Sequence, residues 1–252
     1  MLYLVGLGLF DEKDISLRGL GILKKSDRVY AEFYTNFSHA SLKKLESLAG
    51  KKIVVLTRKD IEERPEENVL KDAGRKVISL LVSGDPMVAT THIDLVLRAR
   101  KKGIKVKIIH ASSVYSAVAE TGLQIYKFGR TTSIVYPEKN YFPESPYDAI
   151  KENKKAGLHT LCLLDVKADE QRYMTVNEGI DVLLQIEAKR KQKVFTQETF
   201  CIGVARLGGD SVIMAGKAKE LLKTAFGKPP QILIIPGKMH FMEEEALKTL
   251  SD

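Results

Sequence analysis

Short, unbroken apolar runs recur along this 252-residue chain, each followed by a longer stretch with helical spacing. The runs are 2–5, 28–31, 53–56, 77–82, 106–110, 132–136, 160–165, 200–205, 212–215 and 232–235. Most do not alternate in polarity, which is the pattern of strands covered on both faces. Between them, apolar residues fall at i, i+3 and i+4, as in Ile93, Val96 and Leu97, and again in Ile180, Leu183 and Leu184. Alternating strand and helix predicts an α/β protein rich in parallel strands. The runs 200–205 and 212–215 are separated only by a short Gly-rich turn, which predicts a hairpin and a mixed sheet in the second half. Ten strands exceed the four to six of an ordinary sheet. Two α/β lobes are therefore expected, residues 1–112 and 113–252, and the loop 136–146 is expected to be the longest irregular stretch.

Composition narrows the function. There are 40 Lys and Arg against 32 Asp and Glu, a net charge of +8, with 44% hydrophobic and 29% charged residues. That is a folded globular composition rather than a disordered one. No run reaches the 18 apolar residues of a membrane span, and the first residues lead into a strand without the layout of a signal peptide. The expectation is a cytoplasmic protein. Cys162 and Cys201 lie inside apolar runs and read as reduced core thiols. The five histidines show neither HxxxH nor HExxH spacing, so no protein-bound metal is expected.

Three segments offer chemistry. VGLGLF, residues 5–10, places Gly6 and Gly8 after the first strand, while Asp11 stands where a dinucleotide fingerprint needs a third glycine. It reads equally as a tight strand exit or a ligand loop. Ser83-Gly84-Asp85-Pro86 follows a strand and precedes a helix expected to start near Val88, so Asp85 is either a helix cap or a ligand contact. In His110-Ala111-Ser112-Ser113-Val114-Tyr115, Ser112 or Ser113 suits an N-cap, and the amides there suit a small anion such as a carboxylate. The basic runs 98–107 and 189–193 carry no interleaved aromatic platform. They read as solvated helix ends, with docking of a macromolecule as the alternative.

Taken in order, LYLVGLGLFDEKDI, AEFYT, SGDPMVATTH, IHASSVYSAV, the stretch from TGLQIYKFG through YPEKNYFPESP, GLHTLCLLDVKA and PPQILIIPGKMH span nearly the whole chain. This series resembles the tetrapyrrole-methylase-like methyltransferases. Within them it is closest to the branch that methylates the amino group of a 3-amino-3-carboxypropyl substituent on one histidine of translation elongation factor 2. The resemblance implies two α/β lobes with S-adenosylmethionine in the cleft between them, and a homodimer. It also implies cofactor contacts at Leu9, Asp85, Val88, Ser113, Val114, Leu164, Leu207 and Gln231, most through backbone groups. In archaeal members of that branch the product is the trimethylammonium form. Gln231 departs from the histidine that the family pattern carries there. The other readings are a C-methyltransferase of tetrapyrrole precursors and a basic, non-catalytic scaffold that binds RNA.

Overall fold

The computed structural model describes residues 1–250. The chain divides into two compact units, 1–115 and 116–252. Unit 1 holds β1 (Leu2–Gly6), α1 (Leu17–Lys25), β2 (Arg28–Glu32), α2 (Leu42–Ala49), β3 (Ile53–Val55), α3 (Arg58–Glu62), β4 (Ile78–Val82), α4 (His92–Lys101) and β5 (Val106–Ile109). The short α5 (Val114–Ala117) runs across the division. Unit 2 holds β6 (Thr132–Ile134), α6 (Ser145–Ala156), β7 (Thr160–Leu164), β8 (Val166–Lys167), β9 (Arg172–Tyr173), α7 (Val176–Arg190), β10 (Phe200–Ala205), β11 (Val212–Lys217), α8 (Ala218–Leu221), β12 (Gln231–Ile235) and α9 (Phe241–Thr249).

The sheet of unit 1 is wholly parallel, in the order β3-β2-β4-β1-β5. Central β4 is buried at every residue, with Leu80 level with Leu4 on one side and Tyr30 on the other. That is why its sequence, ISLLV, does not alternate. Helices α1 and α2 pack together, as do α3 and α4. Val5, Leu23, Val29, Ala31, Leu45 and Leu81 form one core. Local chemistry sets the helix ends. Ser16 Oγ accepts from the Gly19 amide at 3.0 Å, and α2 stops at Gly50 with φ +69°.

Unit 2 carries the expected hairpin, β10–β11, inside a mixed sheet ordered β11-β10-β12-β7-β6. Only β6 and β7 are parallel; the other pairs are antiparallel. Ile134, Tyr147, Ile150, Cys162, Ile180, Leu183 and Leu233 are among its core residues. At the start of α7, Thr175 and Glu178 form a reciprocal capping box.

Several expectations need correction. Helix α4 begins at His92, not near Val88, because residues 85–91 are held in an irregular loop. Its buried stripe is Leu95, Val96 and Ala99, whereas Ile93 and Leu97 are 51% and 48% exposed. Two overlapping stripes share Val96, and spacing alone does not choose between them. The longest irregular stretch is 63–77 rather than 136–146. Strands β8 and β9 have two residues each, too short to register as apolar runs.

A buried charge fastens the last helix of unit 2. Glu243 on α9 is fully buried and accepts from the Gln124 amide at 2.8 Å, the His240 amide at 2.7 Å and His159 Nε2 at 3.0 Å. The Lys127 ammonium completes the set. His159 Nδ1 accepts from the Gly237 amide at 3.0 Å, which fixes the proton on Nε2. Burial opposes the Glu243 charge, but Lys127, the two amides and His159 outweigh it and hold the carboxyl down to about 2. A depressed carboxyl stabilises the fold above its ordinary value near 4.5, and that contribution disappears as pH falls toward 2. Glu243→Gln is expected to cost about 3–5 kcal/mol at neutral pH by leaving Lys127 unpaired. Its stability should also change less than that of the wild type between pH 5 and pH 2, as urea denaturation across that range would show.

Candidate functional site

In unit 1 the chain leaves β1 toward β2 and leaves β4 toward β5, although β1 and β4 are neighbours. Adjacent strands with oppositely directed exits open a crevice beyond their carboxyl ends, the usual ligand position in an open α/β sheet. Two glycine turns meet there. The Gly8 amide donates to Gly84 O at 3.3 Å and the Gly84 amide donates to Gly8 O at 2.9 Å. A Cβ on Gly6 would stand 2.6 Å from Gly84 O and 2.7 Å from the Ala111 Cβ, so the turns after β1, β4 and β5 touch at one point.

Asp85 joins two of those turns. It is 5% exposed. Its Oδ1 accepts from the Met87 amide at 2.9 Å, and its Oδ2 accepts from the Ala111 amide at 3.1 Å and from His110 Nδ1 at 2.8 Å. Asp85 does not cap α4, whose N-cap is Thr91. The capping alternative therefore falls. His110 must donate through Nδ1 to an acceptor-only carboxylate, and its side chain is 70% exposed.

The other expected residues of unit 1 gather at the same strand ends. Leu9 follows Gly8 and is half-buried. Val88 is half-buried, and its amide donates to Asp85 O at 3.2 Å. Ser113 is buried, and half-buried Val114 opens α5. That helix is a single turn of four residues, which has no developed dipole, so the anion-site reading at Ser112 and Ser113 loses its basis.

In unit 2, register alone assembles Leu164, Leu207 and Gln231 at one end of the sheet. Ala205 faces Val212 on one side and Gln231 on the other, while Ile134 faces Leu164. The pair Ile232–Leu163 sets Gln231 one step along, beside Leu164. Leu207 lies just past the end of β10, buried like the other two. The side chain of Gln231 is occupied within the fold. Its Oε1 accepts from the Val176 amide and its Nε2 donates to Gly227 O, both at 2.9 Å. These two bonds fix the orientation of the amide.

Sequence reasoning passed over the surroundings of Tyr136. This residue is 5% exposed and belongs to the core of unit 2. Its amide donates to Asp165 Oδ2 at 3.0 Å, its hydroxyl donates to Glu178 Oε2 at 3.2 Å, and the Arg172 guanidinium lies 3.6 Å over its ring. Burial and the nearby Glu178 charge push the phenol up to about 12. His110 was also unassigned, although its place at a strand end beside a buried carboxylate marks it in retrospect.

Comparison with known proteins fits this geometry. Residues 1–222 match the family Tetrapyrrole (Corrin/Porphyrin) Methylases. A diphthine synthase from Methanocaldococcus jannaschii is 53% identical over 256 residues, covering 100% of this chain and 99% of the relative. The chain belongs to the diphthine synthases. A solved structure from Entamoeba histolytica superimposes with a TM-score of 0.92 at 39% identity, over 100% of this chain and 98% of the other. A solved diphthine synthase gives 0.90 at 37% identity, over 100% of this chain and 96% of the other. The chain is thus an α/β methyltransferase of this family.

The glycine contacts make a prediction of opposite signs. Gly6→Ala should lower stability by about 1–3 kcal/mol, since a Cβ there meets backbone. Gly21→Ala, inside α1 with nothing within 4 Å of its added Cβ, should raise it by up to about 1 kcal/mol. Parallel thermal denaturation of both variants checks this.

Proposed function

We propose that this chain binds S-adenosylmethionine and methylates the amino group of the 3-amino-3-carboxypropyl substituent on a histidine of translation elongation factor 2, up to the trimethylammonium form. The observation that carries the reading is 53% identity to a diphthine synthase along the full chain. The cofactor residues proposed are Leu9, Asp85, Val88, Ser113 and Val114 in unit 1, and Leu164, Leu207 and Gln231 in unit 2.

The residues present fit such a cofactor. Asp85 is a buried carboxylate with three acceptor positions filled. A carboxylate offers about four, so one remains for a hydroxyl or an ammonium group. Buried Leu164 and Leu207 suit an apolar ring. When bound, S-adenosylmethionine supplies a methyl group already activated on a sulfonium. The chain then needs no nucleophile of its own. Its task is to orient the amine, and alignment of reacting groups is worth up to ~7–11 kcal/mol. An amine titrating near the α-amino value of about 8 is roughly one-tenth neutral at pH 7, so a strong base is not required.

The same reading makes the protein a cytoplasmic homodimer whose partner is the elongation factor. The net charge of +8 favours encounter with acidic patches on that partner and makes the association sensitive to salt. The 136–146 loop contributes less apolar surface than its composition suggests. Tyr136 is buried and Phe142 packs on the core, while Tyr141 is 58% exposed.

Two measurements test the proposal. Asp85→Ala should weaken S-adenosylmethionine binding by about tenfold or more in calorimetry, the worth of one charge-assisted hydrogen bond. Equal affinity in wild type and variant would remove Asp85 from the cofactor site. Mass spectrometry of elongation factor 2 after incubation with the wild type should show added methyl groups. Tyr141→Ala should slow that methylation at subsaturating protein substrate with cofactor affinity unchanged. Loss of both together would assign the loop to the cofactor instead.

A further inference from the structure

Strand β5 ends at Ile109, and His110 follows it, one residue short of Ala111, where the exits of β1, β4 and β5 touch. The other four histidines are absorbed by the fold. His92 and His159 are buried, His39 packs on Phe10, and His240 Nδ1 accepts from the Met242 amide at the start of α9. His110 differs. Its side chain is 70% exposed, yet its Nδ1 donates at 2.8 Å to a carboxylate that is 5% exposed.

That bond does more than tie two turns. Asp85 Oδ2 also accepts from the Ala111 amide and Oδ1 accepts from the Met87 amide, so backbone fixes the carboxylate and the carboxylate fixes the ring. Nδ1 then carries the proton, and Nε2 keeps a lone pair on the far side of the ring. An exposed imidazole held in one tautomer and one orientation by a buried carboxylate is the arrangement of a general base. Of the elements packed on β5, β1 has no charged residue. The buried residues of α4 are His92, Leu95, Val96 and Ala99, with burial favouring a neutral His92. The charged group that meets the His110 ring is Asp85.

We propose that His110 is the group that takes the proton from the substrate amine, an assignment that rests on the function proposed above. A strong base is not required there, but the proton still has to leave. An ammonium has no lone pair with which to attack. Nε2 accepts its proton as the N–H bond breaks, and the electron pair of that bond stays on nitrogen as the attacking lone pair. The proton then passes from the ring to water, to which its 70% exposure gives access. One proton leaves for each methyl group received, so an ammonium that becomes a trimethylammonium sheds three and keeps its single positive charge. His110 is bonded directly to Asp85, one of the proposed cofactor contacts, which puts the base beside the group that supplies the methyl.

His110→Asn tests the assignment, because an asparagine side-chain N–H can stand in for Nδ1–H toward Asp85 while nothing replaces Nε2. At an exposed position the substitution leaves the fold intact, as thermal denaturation would show. Calorimetry should find S-adenosylmethionine affinity unchanged. With elongation factor 2 carrying the 3-amino-3-carboxypropyl histidine, methylation at pH 7 should slow by up to about tenfold, since an amine titrating near about 8 is roughly one-tenth neutral there. The defect should fade by about pH 9, where that amine is neutral unaided. His110→Ala should show the same pH profile, and added imidazole should raise its rate at pH 7 but not that of the wild type. A wild-type rate in His110→Asn at pH 7 would overturn the proposal. A defect of equal size at pH 7 and pH 9, or weakened cofactor binding in His110→Asn, would overturn it too, leaving His110 as a support for Asp85. A wild type that adds no methyl group at any pH would instead remove the function proposed above, and this assignment with it.

Discussion

The site in unit 1 depends on one carboxylate. Asp85 accepts from a neighbour in its own turn and from two groups beyond the end of β5, and so ties the exits of β4 and β5 together. The glycines do the complementary work, letting the exit of β1 come into backbone contact with that of β4. An Asp and a few glycines thereby give three strand ends a fixed mutual geometry. Turns of this kind are otherwise the least determined parts of an α/β sheet.

The same economy holds in unit 2, where polar side chains are spent on junctions. Glu178 caps α7 and also receives the Tyr136 hydroxyl, Gln231 bridges β12 to the start of α7, and Glu243 collects four donors around α9. Each is a buried or half-buried polar group whose cost is met by bonds to backbone amides and to a few side chains. Methyl transfer from an activated donor asks a protein for position rather than for reactive side chains. A scaffold that invests its polar groups in rigidity suits that requirement.

Much of this architecture was legible in the sequence, and the reasons are local. Apolar runs such as ISLLV and LCLL mark strands because burial on both faces removes the polar alternation. The hairpin β10–β11 was legible because only a short Gly-rich turn separates its strands. Long-range competition was not legible. Spacing found α4 but chose the wrong stripe, since only the neighbouring elements decide which of two overlapping faces is covered. The role of Asp85 was hidden for the same reason: its partners His110 and Ala111 lie 25 and 26 residues away. The packing of Arg172 over the Tyr136 ring was hidden in the same way, since the two lie far apart in the sequence.

A comparison with histidine shows what the amide side chain of Gln231 contributes. Its amide uses one donor and one acceptor, toward Gly227 O and from the Val176 amide. A neutral imidazole has the same one of each. The two differ on acidification. An imidazole that gains a proton near its usual value of about 6.5 becomes a double donor and can no longer receive an amide. An amide side chain does not titrate. With glutamine in this place, the bond from β12 to the Val176 amide contains no titratable group, whereas a histidine-held one would part on acidification.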